Sequence, residues 1–222
     1  SPPPLPSPPP PSPPPSPPPS PPPPPACYLG PVPAPGNNMP GTSDGMPQVS
    51  APSSGQSSVR MLSLGTKLYF RGTDGNNGQE LFVSDGTASG TSMVVDIYTG
   101  YNNNANVDHL AALTGTGLAA FAADNGVNGT ELWVSDGTAN GTRMVMDIRP
   151  GAVSSSPKWL VELNSKIYFS ATDGTNGNEL WVSDGTASGT SMVKDMKPGI
   201  SSSSSMEAFI PGPGNQLFYS VG

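Results

Sequence analysis

Cysteine is nearly absent from this chain. Cys27 is the only one among 222 residues, which excludes a disulfide framework as the source of stability. Histidine is equally scarce: His109 stands alone, so neither a histidine-based triad nor a multi-histidine metal site can be assembled. Basic residues number 9 against 16 acidic ones, giving a net charge of −7 and a pI of about 4.4. Nucleic acid is excluded as a partner by that balance, because its phosphates must be neutralised by Lys and Arg. No apolar run approaches the ~20 residues that span a bilayer, so no direct membrane insertion is expected. No signal peptide is visible, and a secreted protein of this sequence would be a mature form or a fragment. Useful helical periodicity is missing throughout 59–222, which removes an all-α solenoid.

Proline is what the chain has in excess. Residues 1–25, SPPPLPSPPPPSPPPSPPPSPPPPP, contain only Ser, Pro and one Leu. Consecutive prolines fix φ and remove backbone donors, so helix and sheet are both closed to them. Polyproline II remains, and at ~3.1 Å per residue this stalk reaches about 75–80 Å. The connector 26–58 stays rich in Gly, Pro and Ser and reads as a linker. Its few apolar residues, among them Tyr28, Leu29 and Val32, suit an arm laid over the next domain or a neighbouring chain. Cys27 reads as an unpaired thiol, with an intermolecular disulfide as the sharper alternative.

A third feature is repetition. ELFVSDGTASGT at 80–91, ELWVSDGTANGT at 131–142 and ELWVSDGTASGT at 179–190 are nearly one phrase. In the third copy KWLVELN, KIYFSAT, ELWVSD and TSMVKDM follow one another, separated by Asn-, Gly- and Ser-rich turns. Short β-branched and aromatic runs cut by such residues are strand and hairpin signals. Four short strands in ~50 residues is the arithmetic of a β-propeller blade. The expected fold is therefore all-β, built of repeated four-stranded antiparallel blades in a propeller-like and incomplete array behind the polyproline II stalk. The copies fall at about 59–106, 107–156 and 157–205, with a partial fourth at 206–222. Strand alternation sends Leu and Val of ELWVSD to one face and Glu, Trp and Ser to the other. Phe82, Trp133 and Trp181 are expected to fill the space between adjacent blades.

Two resemblances add to this reading. The Ser-Pro-Pro-Pro phrasing at 7–10, 12–15, 16–19 and 20–23 resembles the hydroxyproline-rich glycoproteins of plant and volvocine algal walls and flagellar surfaces, including mastigoneme-like filaments. It implies hydroxylation or O-glycosylation at Pro8, Pro9, Pro10, Pro13, Pro14, Pro15, Pro17, Pro18, Pro19, Pro21, Pro22 and Pro23, and at Ser12, Ser16 and Ser20. Glu131 to Thr142 with Asp147, Ile148, Pro150 and Gly151, and Glu179 to Thr190 with Lys194, Asp195, Pro198 and Gly199, resemble the ELWxxDGTxxGTxxVKDIxPG repeats of secreted and surface proteins. That resemblance implies a propeller-like fold in an extracellular setting and no chemistry. The first copy departs from it with Phe82, and with Tyr98-Thr99 where the others have a proline.

Candidate sites are few. Asp74, Asn76 and Glu80, and Asp173 with Glu179, offer oxygens on Gly-rich loops, the kind of donors calcium takes. The same residues are those that tight hairpins demand, and the turn reading is preferred. The SDGT segments resemble the Asp-box hairpins of sialidase-type propellers, which are structural; four arginines in no matching arrangement do not extend that likeness to catalysis. The acids recur with the repeat, as structural positions do, so an enzyme is not expected. Asn128 and Asn140 head Asn-Gly-Thr sequons in hairpin tips and are the N-glycosylation candidates. No cofactor is expected beyond covalent glycans, with calcium as the one candidate ion. The expected role is a structural extracellular glycoprotein of a fibre, wall or flagellar surface, assembling with itself or with other glycoprotein chains. The alternatives are a carbohydrate-binding propeller on a stalk and an intracellular adaptor carrying a proline ligand.

Overall fold

The computed structural model divides the chain into two units, 1–37 and 38–222, and it describes residues 48–49, 61–195 and 206–221. The proline stalk with all its modification candidates, Cys27 and most of the connector lie outside the described residues. Among the described residues every element belongs to the second unit and is a strand.

The alternating runs fold where their patterning places them. β1 (Gln48–Val49), β2 (Met61–Leu64), β3 (Lys67–Thr73), β4 (Glu80–Ser84) and β5 (Ser92–Val95) make the first sheet. β6 (Asp108–Leu113), β7 (Leu118–Asp124), β8 (Thr130–Ser135) and β9 (Arg143–Met146) make the second. The third comprises β10 (Lys158–Leu163), β11 (Lys166–Thr172), β12 (Asn178–Ser183) and β13 (Ser191–Lys194), and β14 (Met206–Gly212) pairs β15 (Gln216–Val221) in a two-stranded fourth. Every pairing is antiparallel between strands consecutive in sequence, except that β1 pairs the end of β3 through Gln48↔Thr73 and Val49↔Gly72. The third strand and its following hairpin are thus the repeated dozen residues. The register slips between Leu81 and Phe82, and again at Leu132/Trp133 and Leu180/Trp181. Bulges of this kind sharpen strand twist.

The first strands β2, β6, β10 and β14 are neighbours in that order, while β5, β9 and β13 lie at the far edge of the first three sheets. This is a propeller-like arrangement of antiparallel four-stranded sheets. Core residues lie between sheets, because a sheet covered on both sides needs apolar material on both faces. Tyr69, Leu81 and Val83 of the first sheet meet Ala119, Phe121 and Ala123 of the second, with Trp133 packed against them. Leu132 and Val134 of the second meet Ile167, Phe169, Ala171 and Trp181 of the third. Leu180 of the third meets Phe209, flanked by Tyr168 and Leu217. Leu81 and Val83, Leu132 and Val134, and Leu180 thus face the following sheet, and Trp133 and Trp181 face the preceding one. Phe82 differs. It is buried against Phe70 of its own sheet, with ring centroids 5.8 Å apart, on the face turned away from the second sheet. It occupies the tryptophan position, and no sheet precedes it among the described residues.

Further bonds cross the same junctions. Lys67 Nζ donates to the Asp136 carbonyl at 3.0 Å, and Arg143 Nη2 donates to the Gly185 carbonyl at 3.0 Å. Glu162 Oε1 accepts the Thr114 amide at 2.9 Å and its hydroxyl at 2.6 Å.

Candidate functional site

The polar residues that recur with the repeat make two devices, one at each end of the repeated strand. The first is a hairpin lock. In the first sheet Asp85 Oδ1 accepts the Thr87 amide at 2.9 Å and the Thr87 hydroxyl at 2.7 Å. Thr87 Oγ1 in turn accepts the Gly90 amide at 2.9 Å. Thr91 Oγ1 donates to the Thr87 carbonyl at 2.6 Å, so the hydroxyl of Ser84, 2.6 Å from Thr91 Oγ1, is the donor in that pair. Ser84 Oγ then accepts the Gly86 amide at 3.0 Å. The same bonds recur at Ser135, Asp136, Thr138 and Thr142, and at Ser183, Asp184, Thr186 and Thr190. Gly90, Gly141 and Gly189 are glycine because a Cβ there would overlap the carboxylate of Asp85, Asp136 or Asp184. Threonine hydrogen bonds hold all three aspartates below the ordinary carboxylate range.

The second device is a buried glutamate clamp. Glu80 is 0% exposed. Its Oε2 accepts the Ile97 amide at 3.0 Å and its Oε1 the Ala105 amide at 3.1 Å. Glu131 repeats this with the amides of Ile148 at 3.0 Å and Ser155 at 2.8 Å, and adds the Ser155 hydroxyl at 2.6 Å. Glu179 is buried at the same place in the third copy. The glutamate pins the start and end of the connector that leads to the next sheet. Buried polar groups need such partners. Burial nonetheless pushes the Glu80 carboxyl up to about 7, against the lowering effect of the two amides and with a smaller push from Asp96. Burial raises Glu131 as well, opposed by the Ser155 hydroxyl and the amides of Ser155 and Ile148. Asp96, Asp147 and Asp195 each leave Oδ1 buried without a hydrogen-bond partner.

The calcium candidates are not brought together as ligands. Asp74 Oδ1 accepts the amides of Asn76 and Asn77, both at 2.9 Å, and Oδ2 accepts Asn77 Nδ2 at 2.8 Å. Those bonds, the amide of Asn77 foremost, hold Asp74 below the usual range. Asp173 makes the same turn with Thr175 and Asn176. Burial alone would raise Asp173, but these bonds outweigh it and the net shift is downward. Glu80 points its oxygens at the connector instead. Among the described residues no three His, Cys, Asp or Glu side chains gather as a metal group.

The two sequons differ in surroundings. Asn128 Nδ2 donates to Asp147 Oδ2 at 2.8 Å, and Asn128 Oδ1 accepts Asn125 Nδ2 at 3.0 Å. Asn140 is exposed at the tip of the second hairpin lock. His109 is no ligand in a cluster: it sits on β6 with its ring 5.9 Å from that of Trp159 on β10, edge to face. The clamp escaped sequence reasoning, since nothing in the dipeptide Glu-Leu says that its acid is inward. Its one signal was recurrence at the first residue of ELWVSD.

No protein-family model matches the chain, and neither does any curated protein. Among solved structures it is similar to a novel alpha-L-arabinofuranosidase from Clostridium thermocellum ATCC 27405, at 19% identity and a TM-score of 0.31, over 69% of this chain and 57% of that one. The chain thus spans little more than half the length of that protein, and so loose a likeness bears on neither activity nor ligand.

Proposed function

We propose that this chain is a structural extracellular glycoprotein, in which a glycosylated polyproline rod is joined to a β-repeat packing module of a fibre, wall or flagellar-surface filament. Copies of itself or other glycoprotein chains are its partners, and it is not an enzyme. One observation carries the reading. Glu80 and Glu131, the hairpin aspartates Asp85, Asp136 and Asp184 and the threonine hydroxyls beside them are bonded within the fold, at connector clamps and hairpin locks, so the repetition of these side chains serves tiling. Trp133 and Trp181 likewise pack between sheets. The test is mass spectrometry of glycopeptides from residues 1–58 of native material, with electron microscopy of the same preparation. Pentose-bearing hydroxyproline and filaments are the expected result; bare proline and isolated monomers overturn the reading and return the adaptor. A carbohydrate-binding role is the second reading, favoured by one exposed tyrosine that the repeat does not require.

A further inference from the structure

In a tiled fold, a residue that departs from the repeat and faces solvent is free of the tiling task. The connector between the first and second sheets carries such a departure. Glu80 reaches 17 and 25 residues ahead to grip it, whereas Glu131 reaches 17 and 24. The first connector is therefore one residue longer between identical clamps. This longer connector carries Tyr101, which is 78% exposed, and Asn102, whose φ of 56° is a left-handed conformation that asparagine tolerates. The loop is not loose. The Asn102 amide donates to the Asn76 carbonyl at 2.9 Å, Asn103 Nδ2 donates to the Thr99 carbonyl at 2.9 Å, and Asn104 Oδ1 accepts the Gln79 amide at 2.9 Å. These bonds set Tyr101 and Asn102 beside the tip of the β3–β4 hairpin, where the Asn76 side chain is also exposed.

We propose that Asn76, Tyr101 and Asn102 form a binding subsite for a neutral saccharide, with the Tyr101 ring under one face of the sugar and the two amides against its hydroxyls. A tyrosine ring offers a flat apolar surface with little entropy to lose. Each amide supplies both a donor and an acceptor, which suits vicinal hydroxyls. Asp74, which accepts the Asn76 amide at 2.9 Å, puts negative charge beside the subsite and selects against uronic or sialic acids. This proposal goes beyond the scaffold reading and stands or falls without it, because its test reads binding and not assembly.

The test is titration of the full chain, followed by NMR shifts or calorimetry, with four probes. These are free neutral arabino- and galacto-oligosaccharides, the same sugars carried on a Ser-Pro-rich peptide, the bare peptide, and polygalacturonate. Binding of either neutral sugar form is expected, and comparison of the first two probes tells a free glycan from a protein-borne one. Tyr101→Ala should weaken it by about tenfold with an unchanged Tm, Asn76→Ala should weaken it less, and Tyr101→Trp should retain it. The proposal is overturned if no neutral sugar binds, if Tyr101→Ala binds as well as the parent, or if the bare peptide or polygalacturonate binds best.

Discussion

Glu131 and Ser155 are joined twice across twenty-four residues of sequence: the Ser155 amide donates to Oε1 at 2.8 Å and its hydroxyl to Oε2 at 2.6 Å. Both residues are fully buried. The pair fastens the end of one connector to the start of the strand that preceded it, and so fixes where the next sheet begins.

Glu131→Ala should therefore leave the amides of Ile148 and Ser155 and one hydroxyl unsatisfied in the interior. A loss of about 3–5 kcal/mol is expected, read from urea unfolding. Glu131→Gln keeps the size but turns a donor toward donors, and should cost about 1–3 kcal/mol. Equal stability of both variants and the parent would remove the clamp from the account.

Stability should also depend on pH with a definite sign. Burial pushes Glu80 up to about 7 in the folded chain against an ordinary value of 4.5, so between these two values the unfolded chain ionises it while the folded chain keeps it protonated. Its contribution is complete below about 4.5 and is lost as pH rises toward 7. The hairpin aspartates act oppositely: their lowered values contribute stability above about 3.8 that fades as pH falls through the folded value. Tm should peak in the mildly acidic range and decline to neutrality, and Glu80→Gln should flatten that decline in part, Glu131 retaining a share. A profile level from pH 4.5 to 7 would contradict it.

At the hairpin lock, Gly141→Ala would drive a methyl group into the Asp136 carboxylate. A cost of about 1–3 kcal/mol is expected. Asp136→Gly in the same background should recover part of it, which a double-mutant cycle measures; strict additivity of the two changes would show that they do not meet.

Trp181 is 6% exposed in the layer between the second and third sheets, whereas Trp133 is only half-buried. Trp181→Ala should cost about 3–5 kcal/mol and Trp133→Ala less. With Trp159 and Trp133 replaced by Phe, the remaining emission should be blue-shifted and poorly quenched by acrylamide. Ready quenching would place Trp181 outside the layer.

Strands were legible because alternation and turn residues are local. KWLVELN, KIYFSAT, ELWVSD and TSMVKDM hold β10 to β13 almost to the residue. The inward glutamate was not legible, because the donors that make its burial tolerable stand 17 and 24 or 25 residues downstream. An acid on an Asn- and Gly-rich approach reads as a surface oxygen until those amides are located. Phe82 shows the complementary limit. Its alignment with Trp133 and Trp181 was plain, but what it packs against depends on which sheet stands before it, and that is not written in its own copy.

Because every strand but β1 pairs with a neighbour in sequence, each sheet can form as soon as its own residues leave the ribosome. Its completion lags behind. The clamp amides of Ile148 and Ser155 emerge after the repeated strand they secure, and the Phe169 and Trp181 that cover Leu132 and Val134 emerge later still. A nascent chain therefore carries one uncovered apolar face at a time, moving forward copy by copy. Slowing synthesis between a repeated strand and the middle strands of the next copy is what would lengthen that exposure.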